Sequence, residues 1–279
     1  AILIPQPGYP LFDFLAQLDD ITTSPYPLVY GRGWQIERLA LQERVRPGSR
    51  AVLLVNPNNP TGSYVRRGDH SFLVELCQQL DLALVVDEVF LDYALESTDG
   101  ASPHSLAGET PALTFTLSGL SKISALPQMK LAWIVVNGQA KLRGRAIERL
   151  EVVADTYLSV SAPVGLALPT LLETRFSIQP QVQARIRANL KRLDAMLSAR
   201  SPVSRLKAEG GWYAVLRVPA VHSDEDWAIT LLEQDNVLIH PGHFYDFPAN
   251  AYLVASLLTE AENFEEGMRR LLTRIQNHS

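Results

Sequence analysis

A single cysteine, Cys77, stands among 279 residues, which excludes an internal disulfide framework and a cysteine-based zinc site. The count suits a reducing compartment. Charge of one sign is also scarce: 25 Lys and Arg against 30 Asp and Glu leave a formal net charge of −5. Such a balance carries no electrostatic footprint for nucleic acid or an anionic membrane. No apolar run approaches the roughly 20 residues that a membrane span requires. Internal repeats and low-complexity tracts are missing as well. These absences predict a soluble globular chain, expected in the cytoplasm.

Apolar residues are plentiful, at 47% of the chain, enough to bury a sizeable interior in one large or two ordinary domains. Short β-rich runs at Ala51–Val55, Leu82–Val86, Leu113–Leu117 and Leu131–Val136 read as strands. The second and fourth are nearly continuous in apolar residues, as strands covered on both faces should be. Between the first two, Phe72, Leu73, Leu76, Cys77 and Leu80 repeat at helical spacing, so strand, helix and strand predict a parallel α/β sheet. Ala1–Pro5 also reads as a buried strand.

A helical pattern over Gln139 to about Tyr157 breaks at Ser161-Ala-Pro-Val164, and a second long helix is predicted to start after Pro180, because proline cannot continue a helix from its interior. Trp212–Val218, Val237–Ile239 and Tyr252–Leu257 are then expected strands. Ser223–Asp226 and Thr259–Glu262 carry the spacing of capping boxes, the second opening the last helix. The expectation is a large domain over residues 1–175 with a mostly parallel, helix-flanked sheet, followed by a small α+β domain over 176–279.

Ligands of open α/β sheets bind beyond the carboxyl ends of the strands, and three strands here deliver polar groups there. The first ends in Asn56-Pro-Asn-Asn-Pro-Thr-Gly62, a turn by composition whose stiff backbone would also hold an amide at a ligand. The second ends in Asp87-Glu88. A carboxylate at a buried strand end needs a cation or a donor, so a surface ion pair and a buried site weigh equally on this pair alone. The third ends in Ser118-Gly-Leu-Ser-Lys122, where small residues lead an amine into the cleft. A desolvated lysine there has a lowered pKa and becomes a nucleophile able to form a Schiff base, although a solvated surface lysine is the commoner fate.

Asn-Pro-Asn-Asn-Pro-Thr-Gly, Asp-Glu-Val-Phe and Ser-Gly-Leu-Ser-Lys, in that order and preceded by Pro7-Gly-Tyr-Pro10, resemble the fold-type I, class I/II aminotransferases that use pyridoxal 5′-phosphate. The resemblance runs from residue 1 to the final helix and implies a dimeric enzyme that exchanges an amino group between an amino acid or other amine and a 2-oxo acid. By the same resemblance Lys122 is the lysine that carries the cofactor and moves the substrate proton. Asp87 pairs with the pyridine nitrogen, Asn59 donates to the phenolic oxygen, and Tyr9 stacks on the ring.

The departures matter too. Phe90 stands three residues after the aspartate, where the family has a tyrosine; Tyr93 is the nearest substitute. Lys130 replaces the phosphate-binding arginine eight residues after Lys122 and would bind as a point charge without a bidentate fork. Gly119 occupies a phosphate-binding serine position that Ser121 or Ser118 would fill. Aligning the start of the last helix places Ser256 on the serine of the family's carboxylate-binding strand and Val254 on its arginine. Arg217, His240 and His243 are the substitutes considered.

The family's small-residue phosphate turn, typically Gly-Thr-Ser-like, before Pro-Gly-Tyr-Pro has no counterpart, so the chain is expected to lack the first part of the large domain. Val254 keeps open a C–S lyase or decarboxylase on the same scaffold, and a non-catalytic effector-sensing domain of a regulator is a further alternative from another class. His240-Pro-Gly-His243 lacks a third ligand and predicts no metal, and Gly31-Arg-Gly33 reads as a turn.

Overall fold

The computed structural model describes residues 1–95, 103–198 and 200–278. Its larger sheet has seven strands in the order β3-β2-β1-β4-β5-β6-β7. They are β1 (Ile2–Gln6), β2 (Thr23–Tyr30), β3 (Trp34–Ile36), β4 (Ala51–Val55), β5 (Ala83–Asp87), β6 (Thr114–Gly119) and β7 (Ala132–Asn137). From β2 through β6 neighbouring strands run parallel, and the two outermost, β3 and β7, pair antiparallel. All five residues of β4 are buried, the pattern expected of a central strand with helices on both faces. Helices α1 (Leu11–Leu18), α2 (Arg38–Arg44), α3 (Arg67–Gln79) and the single-turn α4 (Leu120–Ile123) connect these strands. Gly31-Arg-Gly33 is the tight turn between β2 and β3, closed by the Gly31 amide on the Gly33 carbonyl at 3.1 Å.

After β7 come three helices, α5 (Ala140–Thr156), α6 (Ala162–Glu173) and α7 (Arg175–Met196). The third begins at Arg175 and runs through Pro180, earlier than the proline rule predicts. One proline forfeits a single backbone bond, and hydrogen bonds around it, such as the Gln181 side chain on the Ser177 carbonyl at 2.9 Å, carry the helix past. Pro163 instead falls in the first turn of α6, where its missing N–H has no helical partner to lose.

The remaining elements form a second sheet, ordered β10-β11-β9-β8, from β8 (Ser204–Arg205), β9 (Tyr213–Arg217), β10 (His240–Pro241) and β11 (Tyr252–Ser256). Helices α8 (Asp224–Asp235) and α9 (Ala261–His278) pack on it with α7. Ser223 opens α8 with the predicted capping box. Thr259 turns its hydroxyl back to the Ser256 carbonyl and so does not cap α9. Val237–Ile239 is not a strand, because Asn236 ends α8 in the left-handed region and the Val237 amide returns to the Leu231 carbonyl. Val237 and Ile239 still enter the core, whereas Leu238 is exposed.

Burial follows the two sheets. One cluster gathers Leu3, Tyr26, Val52, Leu54, Leu73, Leu84 and Val86 around the large sheet, and another joins Ile186, Leu193, Leu216, Trp227, Leu253 and Leu271 around the small one. The opposite pattern holds at β7. It is an edge strand whose Ile134 and Val135 are exposed, and neither α5 nor α6 has a buried residue. Among the described residues no helix is long and apolar enough to cross a membrane.

Candidate functional site

Three adjacent parallel strands, β4, β5 and β6, end side by side, and the loops that follow converge. The Asn56 amide donates to the Asp87 carbonyl at 2.8 Å, and the Glu88 amide donates to the Leu117 carbonyl at 2.9 Å. Asn56 is fully buried; its side-chain oxygen accepts from the Val65 amide at 3.0 Å and its nitrogen donates to the His104 carbonyl at 3.2 Å. Asn58 donates to the Pro7 carbonyl at 3.1 Å and to the Thr61 hydroxyl at 2.9 Å. These bonds sew the Asn-Pro-Asn-Asn loop to the Gly8-Tyr9 segment. The peptide bonds before Pro7, Pro57 and Pro60 are cis.

Tyr9, Phe12, Val55, Asn59, Asp87, Val89, Phe90, Lys122 and Tyr213 line one cavity of about 100 Å³, well beyond the space a single water needs. Four of the residues singled out in the sequence, Tyr9, Asn59, Asp87 and Lys122, therefore share a site. Asp87 and Glu88 part company there. Asp87 Oδ1 accepts the Val89 amide at 3.0 Å on the cavity side, whereas Glu88 is buried elsewhere and accepts the Ser105 hydroxyl and the Leu106 amide, both at 2.6 Å.

The electrostatics are those of a desolvated pair. Burial lowers the proton affinity of Lys122 from the usual lysine range, partly opposed by the negative charge of Asp87. Asp87 is pushed upward by burial, against the Val89 hydrogen bond and the attraction of Lys122. Aromatic faces supply the desolvation: Lys122 Nζ lies 5.3 Å from the Phe90 ring centroid and 5.0 Å from that of Trp212. The buried side-chain oxygen of Asn59 has no hydrogen-bond partner, which marks a place where a ligand's hydrogen-bond donor belongs.

Other predicted residues lie elsewhere. Ser121 is half-buried on α4 beside Lys122, and Lys130 is exposed in the left-handed region after a short turn at Pro127–Met129; neither lines the cavity. Tyr93 is fully buried, and its hydroxyl donates to the Lys122 backbone carbonyl at 2.6 Å, so it braces the lysine's main chain. Val254 packs in the apolar cluster with Val215, Tyr245 and Phe247. Arg217 is exposed on β9, His240 Nδ1 meets the Tyr245 hydroxyl at 2.9 Å, and the His243 amide donates to Asp224 at 2.6 Å.

Trp212 and Tyr213, the aromatic wall facing Lys122, escape the sequence reading because β9 lies some ninety positions downstream of the lysine. The only signal was the run Glu209-Gly-Gly-Trp-Tyr213, with two glycines and a charge opening an apolar strand.

A half-buried carboxylate, an amide with an unpartnered oxygen, a desolvated amine and flanking aromatic rings on one cavity fit a polar aromatic aldehyde, and pyridoxal is such a group. The aminotransferase class I and II family profile matches residues 1–271. The glutamate-pyruvate aminotransferase AlaA of Escherichia coli K12 is 28% identical over 88% of this chain and 62% of its own length. An alanine aminotransferase of Mycobacterium bovis is 27% identical over 97% of this chain and 64% of that protein. The chain thus spans less than two thirds of these relatives. In structure it is similar to a tyrosine aminotransferase from Leishmania infantum, with a TM-score of 0.88 and 20% identity over 99% of this chain and 68% of that one. An Escherichia coli aminotransferase gives a TM-score of 0.86 and 23% identity, covering 99% and 69%.

Proposed function

Because the chain belongs to the aminotransferase class I and II family, we propose that it supplies the reacting groups of a pyridoxal-phosphate-dependent aminotransferase. The reaction is exchange of an amino group between an amino acid, or another primary amine, and a 2-oxo acid. The observation that carries this reading is the meeting of Lys122, Asp87 and Asn59 on one aromatic-walled cavity.

When bound, pyridoxal phosphate supplies an aldehyde for a Schiff base and a ring that withdraws electrons from the substrate carbon. The residues then divide the work. Lys122 Nζ, deprotonated more readily for being desolvated, holds the cofactor and afterwards takes and returns the proton of the substrate's Cα. Asp87 would hold the ring nitrogen and keep it protonated, adding a second cation to the one that Lys122 already presents to this carboxylate. Asn59 offers its amide to the ring's phenolic oxygen, and Tyr9, Phe90 and Tyr213 exclude water around it. Ser121 and Lys130 are the proposed phosphate contacts.

Soluble protein incubated with pyridoxal phosphate should develop a visible absorption band that Lys122→Ala abolishes. Failure of the folded wild type to give any band would sink the reading. A second reading, lyase or decarboxylase chemistry with the same cofactor, is favoured by Val254, an apolar side chain where a carboxylate-binding arginine is expected. Release of pyruvate with ammonia, or of carbon dioxide, in place of an exchanged amino group would select it.

The two separate sheets, one within residues 2–137 and the other within 204–256, support the division into a large domain over 1–175 and a small one over 176–279. The bare apolar faces of α5 and α6 support a homodimer. The buried, unpaired Cys77 suits a cytoplasmic location.

A further inference from the structure

Glu209 is a charged residue only 2% exposed, and no step above uses it. Its Oε1 lies 2.5 Å from Arg66 Nη2, a partner 143 residues away, and its Oε2 accepts the Tyr64 amide at 3.0 Å. A carboxylate this deep is costly to bury unless it is paired and hydrogen-bonded, and both of its oxygens are.

The backbone around it is tied as tightly. The Glu209 and Gly210 amides both donate to the Gly62 carbonyl, at 3.0 and 2.9 Å, while the Leu95 amide donates to the Glu209 carbonyl at 2.8 Å and the Gly211 amide to the Tyr93 carbonyl at 2.9 Å. A Cβ on Gly210 would stand 2.6 Å from the Tyr64 hydroxyl oxygen, so only glycine allows this approach. The segment therefore touches the loop after β4, which carries Asn59, and the turn after β5, which follows Asp87. Its next residue, Trp212, stacks edge-on with Phe90 and Tyr93 at 5.2 and 5.0 Å and faces Lys122.

We propose that Glu209 is a positioning residue: through Arg66 and Tyr64 it clamps the start of β9 onto the Asn56–Tyr64 loop and so seats Trp212 and Tyr213 against Lys122 and Asn59. This rests on the reading of Lys122 as the reactive amine. A clamp that only stabilised the fold would leave the lysine's surroundings unchanged when weakened. A positioning clamp, when weakened, lets the aromatic wall recede and water reach Nζ. The groups facing that amine are Asp87, Tyr9, Tyr213 and the rings of Phe90 and Trp212. Of these Trp212 and Tyr213 are held from the Glu209 side.

The test compares wild type with Glu209→Gln, which keeps the size and one acceptor, and with Arg66→Met. In cofactor-free protein, the pH dependence of Lys122 acetylation by acetic anhydride is read by peptide mass spectrometry, with exposed Lys141 as internal reference. Pyridoxal phosphate affinity and urea stability are measured alongside. The labelling midpoint of Lys122 should rise by about half a pH unit or more in both variants as desolvation is relieved, and the cofactor should bind about tenfold more weakly. An unchanged midpoint in variants of lowered urea stability would overturn the proposal. If Glu209→Gln does not fold, Arg66→Lys retains the charge without the fork; a smaller upward shift supports the clamp and none refutes it. A wild type that forms no lysine-dependent band defeats the functional reading, yet the labelling still decides the role of Glu209.

Discussion

Gly62 closes the loop that carries Asn59, with a φ of +71°, and a Cβ built there would lie 2.6 Å from the Gly210 carbonyl oxygen and 3.0 Å from the Ala208 Cβ. Replacing it by alanine costs about 1–2 kcal/mol for the left-handed backbone. Forcing a methyl group into close-packed atoms adds about 1–3 kcal/mol. Part of the two terms is shared, because a backbone that shifts to relieve the clash also changes φ, so the expected total is about 2–4 kcal/mol. The nearest atom is backbone, and no rotamer change can move it aside. The carbonyl of Gly62 itself receives the Glu209 and Gly210 amides, so a shift there also disturbs two hydrogen bonds. Urea unfolding followed by tryptophan fluorescence reads the effect directly. With a slope of about 3 kcal/mol per molar, the midpoint should fall by about 1 M at constant slope. A fall of less than about 0.2 M at constant slope would show that the loop and the Ala208–Gly210 segment are not in rigid contact, and the packing argument would fail.

Gly144, inside α5 with no atom within 4 Å of its built Cβ, serves as the opposite case: Gly144→Ala should raise stability by about 0.5–1 kcal/mol in the same titration, and a loss would contradict the open surroundings. Lys122 holds its proton less tightly in the fold than the ordinary 10.5 because of burial. Between that lowered value and 10.5 the unfolded chain binds a proton that the folded chain does not, so the lysine's contribution to stability rises with pH across this window. Lys122→Met should therefore stabilise cofactor-free protein most near neutral pH, by a margin that shrinks towards pH 10.5; a margin independent of pH speaks against the shift. Burial pushes the Cys77 thiol up to about 12, so iodoacetamide at pH 8 should leave the native protein unmodified and alkylate it in urea. Rapid native alkylation would contradict the burial.

The strands β4 to β7 were legible because their apolar runs are short, β-branched and bounded by polar turns, and helix α3 because its stripe repeats at a single period. What β2 and β3 lacked was such a run: Pro25 and Pro27 interrupt the first, and three residues are too few for any period in the second. The start of α7 was misplaced for a different reason, since a single proline decides a local rule while the packed stripe of Ile186, Leu190 and Leu193 decides the helix. At the site, each motif lay directly after its strand, and the ordered set carried the resemblance that singled out Asn59, Asp87 and Lys122. Tyr213, Trp212 and Glu209 could not. Their closeness to Lys122 comes from the second sheet folding back on the first, and long-range packing of that kind leaves no spacing to recognise.

The outer edge of β7 bears on how the chain behaves in a tube. Among the described residues no strand pairs with that side of β7, and Ile134 with the groove formed by Ile147, Leu150 and Val153 would hold an added strand by its side chains. Edges that soluble proteins leave open usually carry charge or proline, and Ala132-Trp-Ile-Val-Val136 carries neither. Colloidal stability of the purified chain should therefore be lowest in sulfate-rich buffers that strengthen apolar contact and improve with a lysine placed at position 135, a change that leaves the cavity of Lys122 untouched.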